Sequence, residues 1–181
     1  MVINCYHHRL LIQSGGGTTL DVILENLKPI AQATLTEGSS ELTLDGLDLE
    51  PGIYKIYVAE WSTTSTPGGH FIGLNDITDN YSGTLIFNLG DTLSMTNNVN
   101  KGIALTNGWD VGTPLVHTEI TLFYFNKDWI NVQATMTTKG LTVIENCWCL
   151  TKLNTINKIS IMTINSDLIG AGSYIKLYKL N

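Results

Sequence analysis

The residues best suited to bind a ligand are tryptophans that border polar loops. Trp109 lies in an NGWD segment that is too polar to enter a core, and exposed indoles stack on sugar faces or fill a pocket of a protein partner. Trp109 and the adjacent Asp110 are therefore the candidate ligand-binding residues. Trp61, Trp129 and Trp148 lie in or beside predicted strands, and we expect these three to pack in the core.

No arrangement of residues typical of a catalytic centre is found in the sequence. A G-x-S-x-G elbow is absent, and the glycines at 15–17 lack the lysine that completes a phosphate-binding loop. Glycan cleavage needs a pair of carboxylates in a cleft. Glu119 and Glu145 on predicted strands are possible partners, but nothing around them marks a cleft. The sequence favours a protein that has no catalytic residues.

Metal ligands are also sparse. His7 and His8 are adjacent and point to opposite sides of an extended chain, so they cannot chelate one ion together. Cys147 and Cys149 face the same side of a predicted strand, but zinc needs a second pair, and small buried core residues are the better interpretation. Two acidic loops lack EF-hand spacing and are expected to cap turns: Asp45 with Asp48, and Asp76 with Asp79 and Asn80. We expect no bound metal and no cofactor.

Composition narrows the class of protein. Only 14% of the 181 residues are charged, and the net charge is −6. The ten Lys and Arg residues are scattered, whereas a nucleic-acid partner requires a basic face. No stretch approaches the roughly 18 apolar residues of a membrane span, so no membrane insertion is expected. The N-terminus lacks the apolar core of a signal peptide, which indicates synthesis in a cytoplasm.

An N-terminal arm (1–14) precedes a predicted helix over 19–28. Thr18 is suited to cap this helix, and apolar residues follow at helical spacing: Leu20, Ile23, Leu24, Leu27 and Ile30. So short a helix does not persist alone in water. Its 3-4-3 stripe is that of a coiled coil, and isoleucine at alternate positions of the stripe disfavours dimers. We therefore expect these residues to organise a homotrimer. The alternative is a monomer whose helix packs on its own β domain.

From residue 35 onward the patterns predict strands. Leu42, Leu44, Leu47 and Leu49 alternate with polar residues, with a shift of phase at Gly46 that is typical of a bulge. About eight to ten short segments of this kind, separated by Gly, Asn and Pro, are typical of a sandwich or jelly roll. The predicted fold is all-β and antiparallel, with an N-terminal segment (1–34) and one β domain (35–181).

The final 25 residues, NKISIMTINSDLIGAGSYIKLYKLN, carry a family resemblance. An isoleucine-rich strand leads through a small loop to AGS-x-I-x-L-Y, and the matching residues are Ile159, Ile161, Ile164, Ala171, Gly172, Ser173, Ile175, Leu177 and Tyr178. This pattern resembles the closing hairpin of tailed-phage fibre and decoration proteins. The resemblance implies a jelly-roll domain, commonly trimeric, on head fibres, tail fibres or capsid decorations.

Two functions follow as expectations. The first is a non-enzymatic virion structural protein, assembled in the host cytoplasm, whose partners are copies of itself and other phage capsid or tail proteins. The alternative is a lectin-like module that recognises a bacterial surface glycan. The two are compatible, because a fibre can contact the host surface through a glycan. A glycan-degrading enzyme is a third and weaker hypothesis.

Overall fold

A computed structural model describes residues 2–6, 9–13, 28–61, 69–89, 92–99, 103–107, 116–138, 141–163 and 168–180. These residues form fourteen strands. In chain order, they are β1 (Val2–Tyr6), β2 (Arg9–Gln13), β3 (Ala31–Thr34), β4 (Glu41–Leu44), β5 (Gly52–Glu60), β6 (Gly69–Leu74), β7 (Tyr81–Leu89), β8 (Thr92–Val99), β9 (Ile103–Asn107), β10 (Val116–Asn126), β11 (Trp129–Thr138), β12 (Leu141–Cys149), β13 (Ile159–Thr163) and β14 (Tyr174–Leu180).

Twelve of these strands build two antiparallel sheets. The large sheet has the order β3-β14-β5-β10-β11-β12-β7-β8, and the small sheet has the order β4-β13-β6-β9. β1 and β2 pair separately as a two-stranded antiparallel sheet. The all-β antiparallel sandwich predicted from the sequence is thereby confirmed. The described part of the chain contains no helix that could cross a membrane.

Alternation along each strand builds the core between the two sheets. Successive side chains of a strand point to opposite faces, so every second residue is buried along the middle of β5, β10, β11, β12 and β14. The buried set includes Tyr54, Ile56 and Val58 on β5, Ile120, Leu122 and Tyr124 on β10, and Ile175 and Leu177 on β14. Each such side chain contributes about 1.5–3 kcal/mol on burial. The small sheet supplies the opposing layer with Leu42, Leu44, Ile72, Leu74, Ile159 and Ile161.

Several local predictions are confirmed. The residues predicted to share one face of β11 are all buried, namely Ile130, Val132, Ala134 and Met136. Leu42, Leu44 and Leu49 are buried, and Gly46 between them has a φ of +67°. Cys147 and Cys149 are buried, free thiols on the inner face of β12. Burial raises the pKa of both thiols, which keeps them protonated and weakly reactive.

The closing hairpin expected over 157–181 does not form. β13 pairs with β4 and β6 in the small sheet, whereas β14 pairs with β3 and β5 in the large sheet. The small residues between them instead make a turn that ties strand ends together. Gly170 N–H donates to Trp61 O (2.6 Å), and Gly172 N–H donates to Leu35 O (2.8 Å) with Gly172 at a φ of +87°. Ser173 Oγ accepts the Trp61 N–H at 2.8 Å.

The N-terminal segment departs from its prediction. The extended arm contains the β1–β2 hairpin. The helix over 19–28 is not confirmed, because 14–27 lie outside the described residues and the residues from Lys28 to Ile30 are not helical. Ile30 is 53% exposed and its N–H donates to Leu177 O at 2.8 Å, so it runs along β14 instead of extending a helical stripe. β3 lies before residue 35 and belongs to the large sheet.

Candidate ligand-binding face

The structure describes some of the site residues predicted from the sequence, and others lie outside the described ranges. Trp109 and Asp110 lie outside the described residues, as do Leu20, Ile23, Leu24 and Leu27, so their roles stay predictions. The expectation that the other three tryptophans pack in the core is wrong. Trp129 is 58% exposed, Trp61 40% and Trp148 38%.

Strand alternation explains why two of these indoles face solvent. Trp129 precedes the buried Ile130, and Trp148 lies between the buried Cys147 and Cys149. Because neighbours along a strand point to opposite faces, both indoles lie on the outer face of the large sheet. The same alternation that places the cysteines in the core is thus the signal for exposed tryptophans.

Aromatic rings gather at one end of this outer face. The Trp129 and Trp148 ring centroids are 5.7 Å apart in an edge-to-face arrangement, and Phe123 and Phe125 stack at 6.0 Å. Phe125 sits at a register shift between Tyr124 and Asn126 and is exposed, as is Leu150 at the end of β12. We call Phe123, Phe125, Trp129, Trp148 and Leu150 the aromatic patch. Exposed apolar patches of this kind mark interaction sites.

Asn131 forms the floor beside this patch. It lies opposite Phe123 on β10 and opposite Trp148 on β12, and although it is on the outer face it is 5% exposed. Its Nδ2 group donates to Asn146 Oδ1 (2.7 Å) and to Cys147 O (3.0 Å). The first of these bonds holds the amide oxygen of the exposed Asn146 toward Asn131.

A polar strip runs across the strands next to Asn131. Thr121 lies opposite Gln133, Gln133 opposite Asn146, and Asn146 opposite Thr84. Gln133 and Asn146 are exposed. Their amides carry both donors and acceptors, which is the complement that sugar hydroxyls need. We call Thr84, Thr121, Gln133 and Asn146 the polar strip.

Two tyrosines and an ion pair lie where the strip reaches β5 and β14. The Tyr57 and Tyr178 centroids are 5.6 Å apart, edge to face. Lys55 Nζ is 3.7 Å from Glu119 Oε2 and donates to Thr121 Oγ1 at 2.9 Å. Burial, Glu119 and Tyr178 together raise the pKa of Tyr57, so its hydroxyl stays protonated. We call Lys55, Tyr57, Glu119 and Tyr178 the tyrosine cluster.

The two glutamates considered for glycan cleavage do not meet. Glu119 lies on the outer face of β10, whereas Glu145 is buried on the inner face of β12 opposite Ala134. The sheet itself separates them, so they cannot flank one glycosidic bond. A second buried carboxylate, Glu60 on β5, accepts from or donates to His70 Nδ1 on β6 at 2.6 Å. This pair links the two sheets inside the core.

The acidic loop residues make short polar contacts, and among them Asp45 caps a turn as predicted. Asp45 Oδ1 accepts the Gly46 N–H at 2.8 Å, and Asp48 Oδ1 accepts from Thr155 Oγ1 at 3.2 Å. Asp76, at a positive φ, contacts Lys158 Nζ at 2.7 Å. Across the described ranges no group of three or more His, Cys, Asp or Glu residues could hold a metal ion.

Comparison with known proteins assigns no family. No family model and no curated protein matches the chain. Among solved structures, a homodimeric agglutinin from chicken liver, CG-16, is 14% identical with a TM-score of 0.34, covering 76% of this chain and 98% of its own. A toad ovary galectin in complex with thio-digalactose is 14% identical with a TM-score of 0.31, over 77% and 98%. The alginate lyase Aly36B is 14% identical with a TM-score of 0.35, over 98% and 93%. Likenesses this weak carry no argument about function.

Proposed function

We propose that the protein is a non-enzymatic glycan-binding β-sandwich, and that its ligand lies on the outer face of the large sheet. The observation that carries the proposal is the nearly buried Asn131 amide, which lies opposite Phe123 and Trp148 and is bonded to the exposed Asn146. Flat indole surfaces bind the apolar faces of sugar rings. The amides supply directed hydrogen bonds to hydroxyl groups.

This face carries both apolar and polar groups, and this combination favours a glycan over a purely apolar partner as its ligand. Trp129 and Trp148 expose apolar surface that costs about 25 cal/mol per Å² while it stays in water. An apolar protein partner would cover that surface but would desolvate Gln133 and Asn146 without replacing their hydrogen bonds to water. A sugar satisfies both requirements, because each ring has an apolar face and a rim of hydroxyls.

Glycan binding is tested by truncating the indole next to Asn131. We expect Trp148→Ala to lower the affinity for the best binder of a glycan panel at least about tenfold, or ~1.4 kcal/mol. Calorimetry on the purified protein measures this. Trp61→Ala is the matched control, because Trp61 is exposed to a similar degree but lies on the Gly172 turn at the opposite end of β5. The proposal fails if no glycan binds, or if both variants weaken binding equally.

A second function rests on the sequence of residues 157–181. Although β13 and β14 join different sheets, the sequence pattern of this segment resembles that of tailed-phage fibre and decoration proteins, and it supports a display domain on a virion, with other capsid or tail proteins as partners. A glycan-binding face suits such a domain, since a fibre contacts the host surface. Antibodies raised against this protein should label phage particles from the cells that produce it. Particles that carry none of the protein would contradict this role.

A further inference from the structure

We propose that the ligand is an elongated, uncharged glycan that crosses the outer face diagonally, from the aromatic patch over the polar strip to the tyrosine cluster. This inference rests on the proposed function and adds the size and charge class of the ligand. It is carried by the register of six neighbouring strands, from β7 to β14, which aligns the three groups of side chains along one path.

The register fixes the order along that path. On β10, Phe123, Thr121 and Glu119 follow one another on the outer face, each two residues from the next. Asn131 lies opposite Phe123, Gln133 opposite Thr121, and Tyr57 opposite Glu119. The polar strip is therefore one row from Phe123 and one row from Glu119 and Tyr57, and it continues in its own row to Lys55 on β5 and Tyr178 on β14. A ligand on the aromatic patch must pass over the strip to reach the tyrosines.

The length of the path exceeds a single sugar ring. Trp148 on β12 and Tyr57 on β5 are separated by β11 and β10, which is about 14 Å at the usual ~4.8 Å strand spacing. Along β10, Phe123 and Glu119 are four residues apart, which is about 13 Å at ~3.3 Å per residue. The diagonal is therefore about 20 Å. Aromatic contacts at both ends and amides between them are suited to a chain of several sugars.

The charges that border the path favour an uncharged ligand. Lys55 pairs with Glu119 at 3.7 Å inside the tyrosine cluster. Beyond the aromatic patch, Lys152 pairs with Asp128 at 2.8 Å. Lys176 on β14 lies opposite Tyr57 on β5. Its Nζ is 4.9 Å from the centroid of the Tyr174 ring. Each of these three cations thus already has an acidic or aromatic contact, and an acidic glycan would meet the Glu119 and Asp128 carboxylates at the two ends of its path.

The experiment compares chain lengths with matched variants. The probes are cello-, malto- and galacto-oligosaccharides of one to six units, with oligogalacturonides as acidic counterparts, titrated by calorimetry. We expect the affinity for one neutral series to rise at least tenfold from two to six units. Tyr178→Ala should lower the affinity for the six-unit member at least fivefold and that for the two-unit member less than twofold. Tyr174→Ala, on the same face of β14 but farther from the path, should change neither.

A second variant covers the case in which Tyr178→Ala fails to fold. Gln133 is exposed in the middle of the strip, so Gln133→Arg leaves the core intact and obstructs the path. We expect it to reduce the affinity for six units to the level of two units. Equal affinities for short and long chains, or preference for the acidic series, would overturn this inference and leave glycan binding standing. Binding of none of the probes or panel members would overturn both.

Discussion

Asn131 shows how a single amide organises the candidate site. Its Nδ2 donates to two acceptors, Asn146 Oδ1 and Cys147 O. Asn131→Asp would replace this donor with a second acceptor. Asn146 Oδ1 and Cys147 O would then both lose their hydrogen-bond donor at a nearly buried position. We expect a loss of about 1–3 kcal/mol in the free energy of unfolding, measured by urea denaturation. Gln133→Glu, the same change at an exposed position on the same strand, should cost less than about 0.5 kcal/mol. Equal losses would contradict the assigned role.

Residue type and strand alternation give opposite predictions for two tryptophans. Tryptophan is usually well buried, and that tendency places Trp129 and Trp148 in the core. Period-2 alternation with the buried Ile130 and Cys147 requires both indoles to face outward, and the structure follows the alternation. The pair of Glu60 and His70, in contrast, could not be predicted, because only the folded sandwich brings β5 and β6 into contact through these side chains.

At the scale of elements, Gly83 sets how closely β7 and β12 approach. A Cβ at Gly83 would overlap the Asn146 O and Cys147 Cβ and lie 2.6 Å from the Cys147 Cα. Backbone cannot yield as a flexible side chain does, so Gly83→Ala must push the strands apart. We expect a loss of about 1–3 kcal/mol in the free energy of unfolding. Gly38→Ala is the control, because its nearest contact is an ordinary 3.5 Å to Leu168. If Gly83→Ala and Gly38→Ala both changed the free energy of unfolding only slightly, β7 would be shown to move away from β12 at little cost.

The small sheet contains a pair of ion pairs whose contribution to stability depends on pH. Lys158 Nζ contacts Glu41 on β4 at 3.0 Å and Asp76 after β6 at 2.7 Å. A hydrogen bond from Ser160, with further ones from Lys158 and Thr43, lowers the pKa of Glu41 below its ordinary value. A lowered carboxyl pKa stabilises the fold above the unfolded-state value, and this contribution is lost as pH falls through the folded-state value.

We therefore expect Glu41→Gln to lower stability at neutral pH and to have less effect below the usual range of a glutamate pKa. The stability curves of the variant and the native protein should converge as pH falls below about 4. Because Glu41 is partly exposed, the difference at neutral pH is small. Thermal unfolding across this pH range provides the measurement. Parallel curves at all pH values would show that Glu41 does not titrate in this way.

The C-terminal strands illustrate the limit of local pattern. The alternation of Ile159 and Ile161, and of Ile175 and Leu177, is sufficient to predict two half-buried strands, and all four residues are buried. Proximity in sequence suggests that they pair. Each strand instead pairs within a different sheet. Sequence alternation specifies which face is buried, but partner choice depends on contacts that are distant in the chain.

At the scale of the whole molecule, two sheets that bury one face each are predictable from alternation alone, whereas the state of assembly is not. The low charged fraction of 14% lowers the desolvation cost of close contact between copies. The apolar stripe of Leu20, Ile23 and Leu27 still predicts a short coiled coil that contains isoleucine. Ile30 no longer belongs to that stripe, because it runs along β14.

We predict that the full chain is a homotrimer and that residues before 28 organise it. Multi-angle light scattering should give about three times the 19.9 kDa chain mass. A truncated protein that begins at Lys28 keeps β3, and so the whole large sheet, and should be monomeric. Replacing Ile23 and Leu27 with Ser in the full chain should have the same effect, since a short helix without its apolar stripe has no surface to associate. A full chain that is monomeric would contradict the trimer. Trimers formed by both the full and the truncated protein would instead place the interface on the sandwich, and the N-terminal segment would then be left with no part in assembly.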